Sequence, residues 1–136
     1  MLSKIKLQTP AGESLTDITE QISAVVRDSQ VEEGICVVFA PHTTGALSLN
    51  SALDADTLAD IRAELRRLVP TRVDFQHIYD TPADAAGHIK SVLVGNSLTL
   101  IVSNGELALG GSQSILFLEF DGARERQVLV RTMAER

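Results

Sequence analysis

Cysteine is nearly absent: one residue, Cys36, occurs in 136. A single thiol excludes an intrachain disulfide, and its place inside the apolar run Ile35-Cys36-Val37-Val38-Phe39 reads as a small core side chain rather than a nucleophile. Basic charge is short as well. Twelve Lys and Arg against eighteen Asp and Glu give a formal charge of −6, with a pI of 4.9, whereas neutralising a nucleic-acid backbone needs a basic face. The Arg-rich pieces, Arg62 to Arg67 and Arg124 to Arg136, are interleaved with acids and read as solvated or intersubunit faces. No apolar run approaches the length of a membrane span, and the opening residues lack the segments of a secretion signal. The expectation is a soluble, cytoplasmic protein with neither nucleic acid nor membrane as partner. Repeats, low-complexity tracts and linkers are missing too, so a chain with 44% hydrophobic residues fits one domain over 1–136.

What is present is concentrated in Ala40-Pro41-His42-Thr43-Thr44-Gly45-Ala46-Leu47-Ser48-Leu49-Asn50, which reads as strand, polar corner, strand. It joins an imidazole, two hydroxyls and a glycine between two apolar runs, a placement held by a sheet yet open to solvent. Upstream, Lys4 to Thr9 alternates with period two before Pro10-Ala11-Gly12 breaks it. A helix capped by Thr16 or Ser14 should follow, with Ile18, Ile22, Val25 and Val26 on one stripe through about Arg27. Downstream, Asp54 caps a helix whose apolar stripe is Leu58, Ile61, Leu65 and Leu68, ended by Pro70. Thr81-Pro82-Ala83-Asp84 is a second start signal, for a helix to about Val94 that buries Ile89, Val92 and Leu93 and exposes Lys90.

From Ser97 the pattern turns to strands: Leu98 to Val102, Leu107 to Leu109, Ile115 to Phe120 and Gln127 to Thr132, with turns at Asn104-Gly105 and Asp121-Gly122. An antiparallel meander is expected. Ile115 to Leu118 is apolar on both faces, which calls for a cover on each side, a partner subunit on one of them.

The three histidines, His42, His77 and His88, all stand at element edges beside polar or small neighbours. They can bind a divalent metal such as zinc or magnesium, act as acid, base and anion ligand, or be separate capping and surface residues; their spacing does not choose, and no compact metal signature such as HExxH is present. Asp84, one turn before His88, can orient its second ring nitrogen or serve only as a helix-start carboxylate. Thr43 and Thr44 offer donors suited to an anion, as ordinary β residues also would. Gly110-Gly111-Ser112-Gln113 is a second candidate loop, its glycines letting a ligand approach the backbone or simply making a turn.

His42-Thr43-Thr44 leading to Asn50, then Asp54, His77, His88-Ile89-Lys90, Leu93, Gly95, Gly105, Gly110, Gln113 and Glu119-Phe120-Asp121-Gly122 with Arg124 together resemble the YjbQ-like family, also called secondary thiamine-phosphate synthase. The resemblance implies an α+β domain, an antiparallel sheet with helices packed on one side, assembled as a homotrimer. It implies a site of His42, His77 and His88 with Thr43, Thr44, Asn50, Gly110, Gly111 and Gln113, acting on a small phosphorylated metabolite. The chain departs from the family pattern in having Ser51 where glutamate is common, and Gly111-Ser112 where Thr-Trp is common. Those departures remove a carboxylate and an indole, and favour as the alternative a trimeric metabolite- or metal-binding protein without turnover.

Overall fold

Turn chemistry and caps divide the chain into eight strands and three helices. The structure, a computed structural model, describes residues 1–136. The elements are β1 (Leu2–Gln8), β2 (Gly12–Asp17), α1 (Thr19–Ser29), β3 (Gly34–Phe39), β4 (Gly45–Asn50), α2 (Ala55–Leu68), α3 (Pro82–Val94), β5 (Ser97–Ser103), β6 (Glu106–Leu107), β7 (Ser114–Gly122) and β8 (Glu125–Ala134). Asp54 caps α2 by accepting from the Asp56 N–H at 2.9 Å, and Thr81 caps α3 by accepting from the Asp84 N–H at 3.2 Å with Pro82 in the first turn. Asn104 and Gly105, both at positive φ, make the β5–β6 hairpin turn. Neither Thr16 nor Ser14 caps α1: both belong to β2, the cap position is Ile18 with no side-chain bond, and Asp17 at the end of β2 accepts from the Thr19 N–H through Oδ1.

All strand pairs are antiparallel and form two sheets, β1-β8-β3-β5-β6 and β2-β7-β4. Between them lies the main core: Cys36, Val38, Leu100, Val102, Val128 and Val130 of the five-stranded sheet meet Leu47, Ile115 and Phe117 of the three-stranded one, with Ile22 and Val26 of α1. The far face of the smaller sheet presents Ala46, Leu116, Leu118 and Phe120 to Leu58 and Leu65 of α2 and Val94 of α3. The domain is thus α+β and antiparallel, with α2 and α3 packed on one side. No helix is long and apolar enough to cross a membrane.

Two expectations are corrected here. The run from β5 to β8 is not a meander, because β7 pairs with β2 and β4 in one sheet while β8 pairs with β1 and β3 in the other. The two apolar faces of β7 are therefore both covered within one chain, by the larger sheet and by the helices, and need no partner subunit. The second correction concerns α3, whose Ile89, Val92 and Leu93 are 42%, 85% and 61% exposed, while Ala86, Gly87, Lys90 and Ser91 are buried. The helix sits too close to β4 and β7 for large side chains. A Cβ at Gly87 would lie 3.3 Å from Phe120 Cβ and Thr44 Cγ2, and Ser91 Oγ donates to the Gly45 carbonyl at 2.8 Å. Lys90 points inward to an ion pair with Glu13 at 2.8 Å, so the apolar stripe is left outside.

Candidate functional site

The β3–β4 corner, the first two turns of α3 and the irregular segment 69–81 meet at one place. The Thr81 cap fixes Asp84 on the first turn of α3, and His88 follows one turn later on the same face. Segment 69–81 brings His77 to them. Asp84 Oδ2 accepts from Nε2 of His77 at 2.9 Å and from Nε2 of His88 at 3.2 Å, and the two rings meet edge to face with centroids 5.1 Å apart. Burial works against the charged form of Asp84, but the bonds from His77 and His88 outweigh it and hold the carboxyl below its ordinary value. The histidines are each about 40% exposed and Asp84 is 9% exposed at its side chain. Asp84 thus does more than orient His88: it is the shared acceptor of both rings.

His42 stands across from this group. It and His88 line one cleft of about 340 Å³, together with Thr43, Ser91, Val92 and Asn96. Its Nε2 lies 3.0 Å from the Gln127 amide nitrogen and 3.0 Å from the Gln127 carbonyl oxygen. Accepting the amide N–H requires a neutral ring protonated at Nδ1. Burial lowers the His42 pKa, the Gln127 carbonyl partly opposes it and Arg126 lowers it further, which favours the neutral ring in either tautomer. A larger cleft of about 540 Å³ opens on the other side of His42 between β1 and β8 and touches neither His77 nor His88.

The two threonines of the corner are placed differently. Thr43 is exposed on the cleft wall. Thr44 is buried, and its hydroxyl accepts from Arg126 Nη2 at 2.8 Å, so that hydroxyl serves the core. Asn50 and the loop of Gly110, Gly111 and Gln113 lie elsewhere. Asn50 pairs with Ser114 at the opposite end of β4 from Gly45, about 17 Å away at ~3.3 Å per residue. Within that loop Gln113 Oε1 accepts from the Gly110 N–H at 2.8 Å and the Gln113 N–H donates to the Gly110 carbonyl at 3.0 Å, a turn closed on itself.

Chemically, the cluster that converges is His77, Asp84 and His88, with ligand atoms within 4.8 Å of one another. Two imidazoles and a carboxylate with room for further ligands suit zinc or a similar divalent ion better than magnesium, which prefers oxygen. The reading from sequence missed the acidic surroundings of Asp84. Asp80 and Asp121 bring their carboxylates beside it, and Arg124 stands among the three. Asp121-Gly122 entered as a turn signal and, with Arg124, as part of the family resemblance, and nothing local reveals that the β7–β8 corner returns to α3.

Comparison with known proteins agrees with the fold. The family model described as UPF0047 protein YjbQ-like matches residues 3–135. A UPF0047 protein of Methanocaldococcus jannaschii is 38% identical over all of this chain and 96% of its own length, and one of Archaeoglobus fulgidus is 40% identical over 96% of this chain and 99% of its own. Among solved structures, an uncharacterised yjbq/upf0047 family protein of Clostridium acetobutylicum superimposes with a TM-score of 0.91 at 37% identity, covering 96% of this chain and 99% of that one. With a match of this extent in sequence and in structure, the chain belongs to the YjbQ-like UPF0047 family.

Proposed function

We propose that the chain is an enzyme acting on a small phosphorylated or pyrophosphorylated metabolite in the cleft between His88 and His42, with a divalent cation held by His77, Asp84 and His88. The observation that carries this reading is the convergence of both imidazoles on one nearly buried carboxylate beside a cleft of ligand size. A cation there supplies positive charge against the charge that develops on phosphoryl oxygens. In the tautomer that accepts the Gln127 amide N–H at Nε2, His42 offers Nδ1–H as a donor, and exposed Thr43 adds a hydroxyl. Asn50, Gly110, Gly111 and Gln113 are candidate ligand contacts only where a second chain brings that end of the molecule to a cleft. Joining of a pyrimidine pyrophosphate to a thiazole phosphate, the thiamine-phosphate reaction implied by the sequence resemblance, is the specific activity to test. Product should form with zinc or magnesium and be lost in Asp84→Asn and His88→Ala. No product above those variants, with either metal, overturns that reaction.

A binding protein without turnover is the second reading. It is favoured by Ser51, whose hydroxyl accepts from the Leu53 N–H in a local turn at the position where the resemblance leads one to expect a carboxylate. Calorimetric binding of phosphate esters without turnover would select it. Either way we propose a homotrimer, and the support is the outer face of the five-stranded sheet. Phe39, Ile101 and Met133 are 38%, 58% and 53% exposed there, on strands whose opposite faces fill the core. Sedimentation equilibrium should give the mass of three chains, and a single-chain mass at micromolar concentration would refute the assembly.

A further inference from the structure

Arg124, just past the corner that ends β7, stands half-exposed among three carboxylates. Its Nη2 donates to Asp121 Oδ2 at 2.8 Å and lies 3.8 Å from Asp80 Oδ2 and 3.9 Å from Asp84 Oδ1. Its Nε donates to the Asp121 carbonyl at 3.0 Å, whereas Nη1 has no hydrogen-bond partner in the chain. Asp84 therefore faces two imidazoles with one oxygen and a guanidinium with the other. Of the other cations, Lys90 is 1% exposed and paired with Glu13, and Arg126 is buried on Glu119 and lines the cleft on the other side of His42. Arg124 keeps Nη1 free to offer a ligand beside the carboxylates that surround Asp84.

Charge decides when it can do so. Three carboxylates against one guanidinium give this cluster of four side chains two formal negative charges. A phosphate approaching it is repelled more than attracted, until a divalent cation restores neutrality. We propose that Arg124 is the anion-recognition residue of this site, and that its carboxylate neighbours make anion binding conditional on a divalent cation at His77, Asp84 and His88. The inference rests on the cation-site reading given above and adds to it the residue that grips the anion and the order of binding. Clamped by Asp121 through Nε and Nη2, the planar guanidinium presents Nη1 in a fixed direction, as recognition of a phosphoryl oxygen requires.

Calorimetry on the full chain tests this with two probes, zinc and then inorganic phosphate. Wild-type protein should bind phosphate only when zinc-loaded. Arg124→Gln should weaken phosphate binding to the zinc-loaded protein about tenfold or more, the worth of a charge-assisted bond. The same variant should bind zinc about two- to fivefold more tightly, because a positive charge beside Asp84 is gone. Opposite signs are the signature, since a residue that merely held the corner in place would weaken both. Arg124→Lys, which keeps the charge, should leave zinc affinity near wild type and restore part of the phosphate affinity. Equal phosphate affinity in wild type and Arg124→Gln, or phosphate binding independent of zinc, overturns the proposal. Absence of zinc binding, or zinc binding unchanged by Asp84→Asn, overturns the cation site itself and the proposal with it.

Discussion

Lys90 and Glu13 test how α3 is held on the sheet. Lys90 Nζ, 1% exposed, lies 2.8 Å from Glu13 Oε2 and 5.5 Å from the centre of the Phe120 ring. Glu13 is 12% exposed and also accepts from Arg66 of α2 at 3.1 Å, so it joins β2 to both helices. Glu13→Ala strands an ammonium that cannot reach water, and the expected cost is about 3–5 kcal/mol. Lys90→Met should cost less, about 1–3 kcal/mol, because the remaining carboxylate keeps Arg66 and some solvent. The double variant Glu13→Leu/Lys90→Met removes both charges and fills the space with carbon, and its stability should return to within about 1 kcal/mol of wild type. For a domain of this size Glu13→Ala then lowers Tm by roughly 10–20 °C, at about 3–5 °C per kcal/mol. Urea and thermal unfolding followed by circular dichroism measure all three. A loss below about 1 kcal/mol in Glu13→Ala, or a double variant as unstable as the two singles added, would refute a desolvated, mutually dependent pair.

Other perturbations probe the core and the cleft. Burial in the core leaves Cys36 with no exposure and pushes its thiol up to about 11, so a thiol reagent should not react with native protein in mild alkali and should titrate one group after unfolding. His42 has a folded pKa below its unfolded value near ~6.5, so the folded state binds fewer protons between the two. Its stabilising contribution is complete above the unfolded value and is lost as pH falls through the folded one. His42→Gln should flatten that part of the stability profile, and an unchanged slope would count against the neutral, Gln127-bonded ring. Gly45→Ala would place a Cβ 2.8 Å from Phe117 Cζ. It should cost about 1–3 kcal/mol by overpacking, and far less in a Phe117→Leu background; equal losses in both would show that the ring is not what excludes a side chain.

The sequence disclosed elements better than their neighbours. Asp54 and Thr81-Pro82 announced their helices because capping is local chemistry, and Asn104-Gly105 announced its hairpin for the same reason. The outward face of α3 was not legible. Periodicity assigns the apolar stripe to the core, but the actual contact selects size: Gly87 and Ser91 fit against β4 and β7 where leucine could not, and Lys90 is tolerated only because Glu13, 77 residues away, meets it. Likewise β5 to β8 read as consecutive strands, and only their pairing partners, set by which faces each buries, separate β7 from β8. At the site, Asp84 and His88 were legible through their four-residue spacing on one helix. Arg124 was not, because its approach to Asp84 depends on a corner 40 residues further along.

That corner and the His42 corner are fixed by one buried ion pair. Glu119, 1% exposed, accepts from Arg126 Nε at 2.8 Å, from the Thr9 hydroxyl at 2.7 Å and from the Asp121 N–H at 3.0 Å. Burial alone would raise its pKa, but these donors, led by Arg126, hold the carboxyl below the ordinary value. Through the Asp121 N–H the pair anchors the segment that carries Arg124, and through the Arg126 bonds to the Thr44 hydroxyl and carbonyl it anchors the segment that carries His42. A buried network of this kind resists rearrangement, since moving Glu119 or Arg126 leaves a charge without its partner. Asp84 and His88 are held in turn by a capped helix packed on Thr44 and Gly45. Of the three residues proposed to hold the cation, only His77 comes from backbone with neither helix nor strand to hold it, so among them it is the one that can shift without disturbing α3.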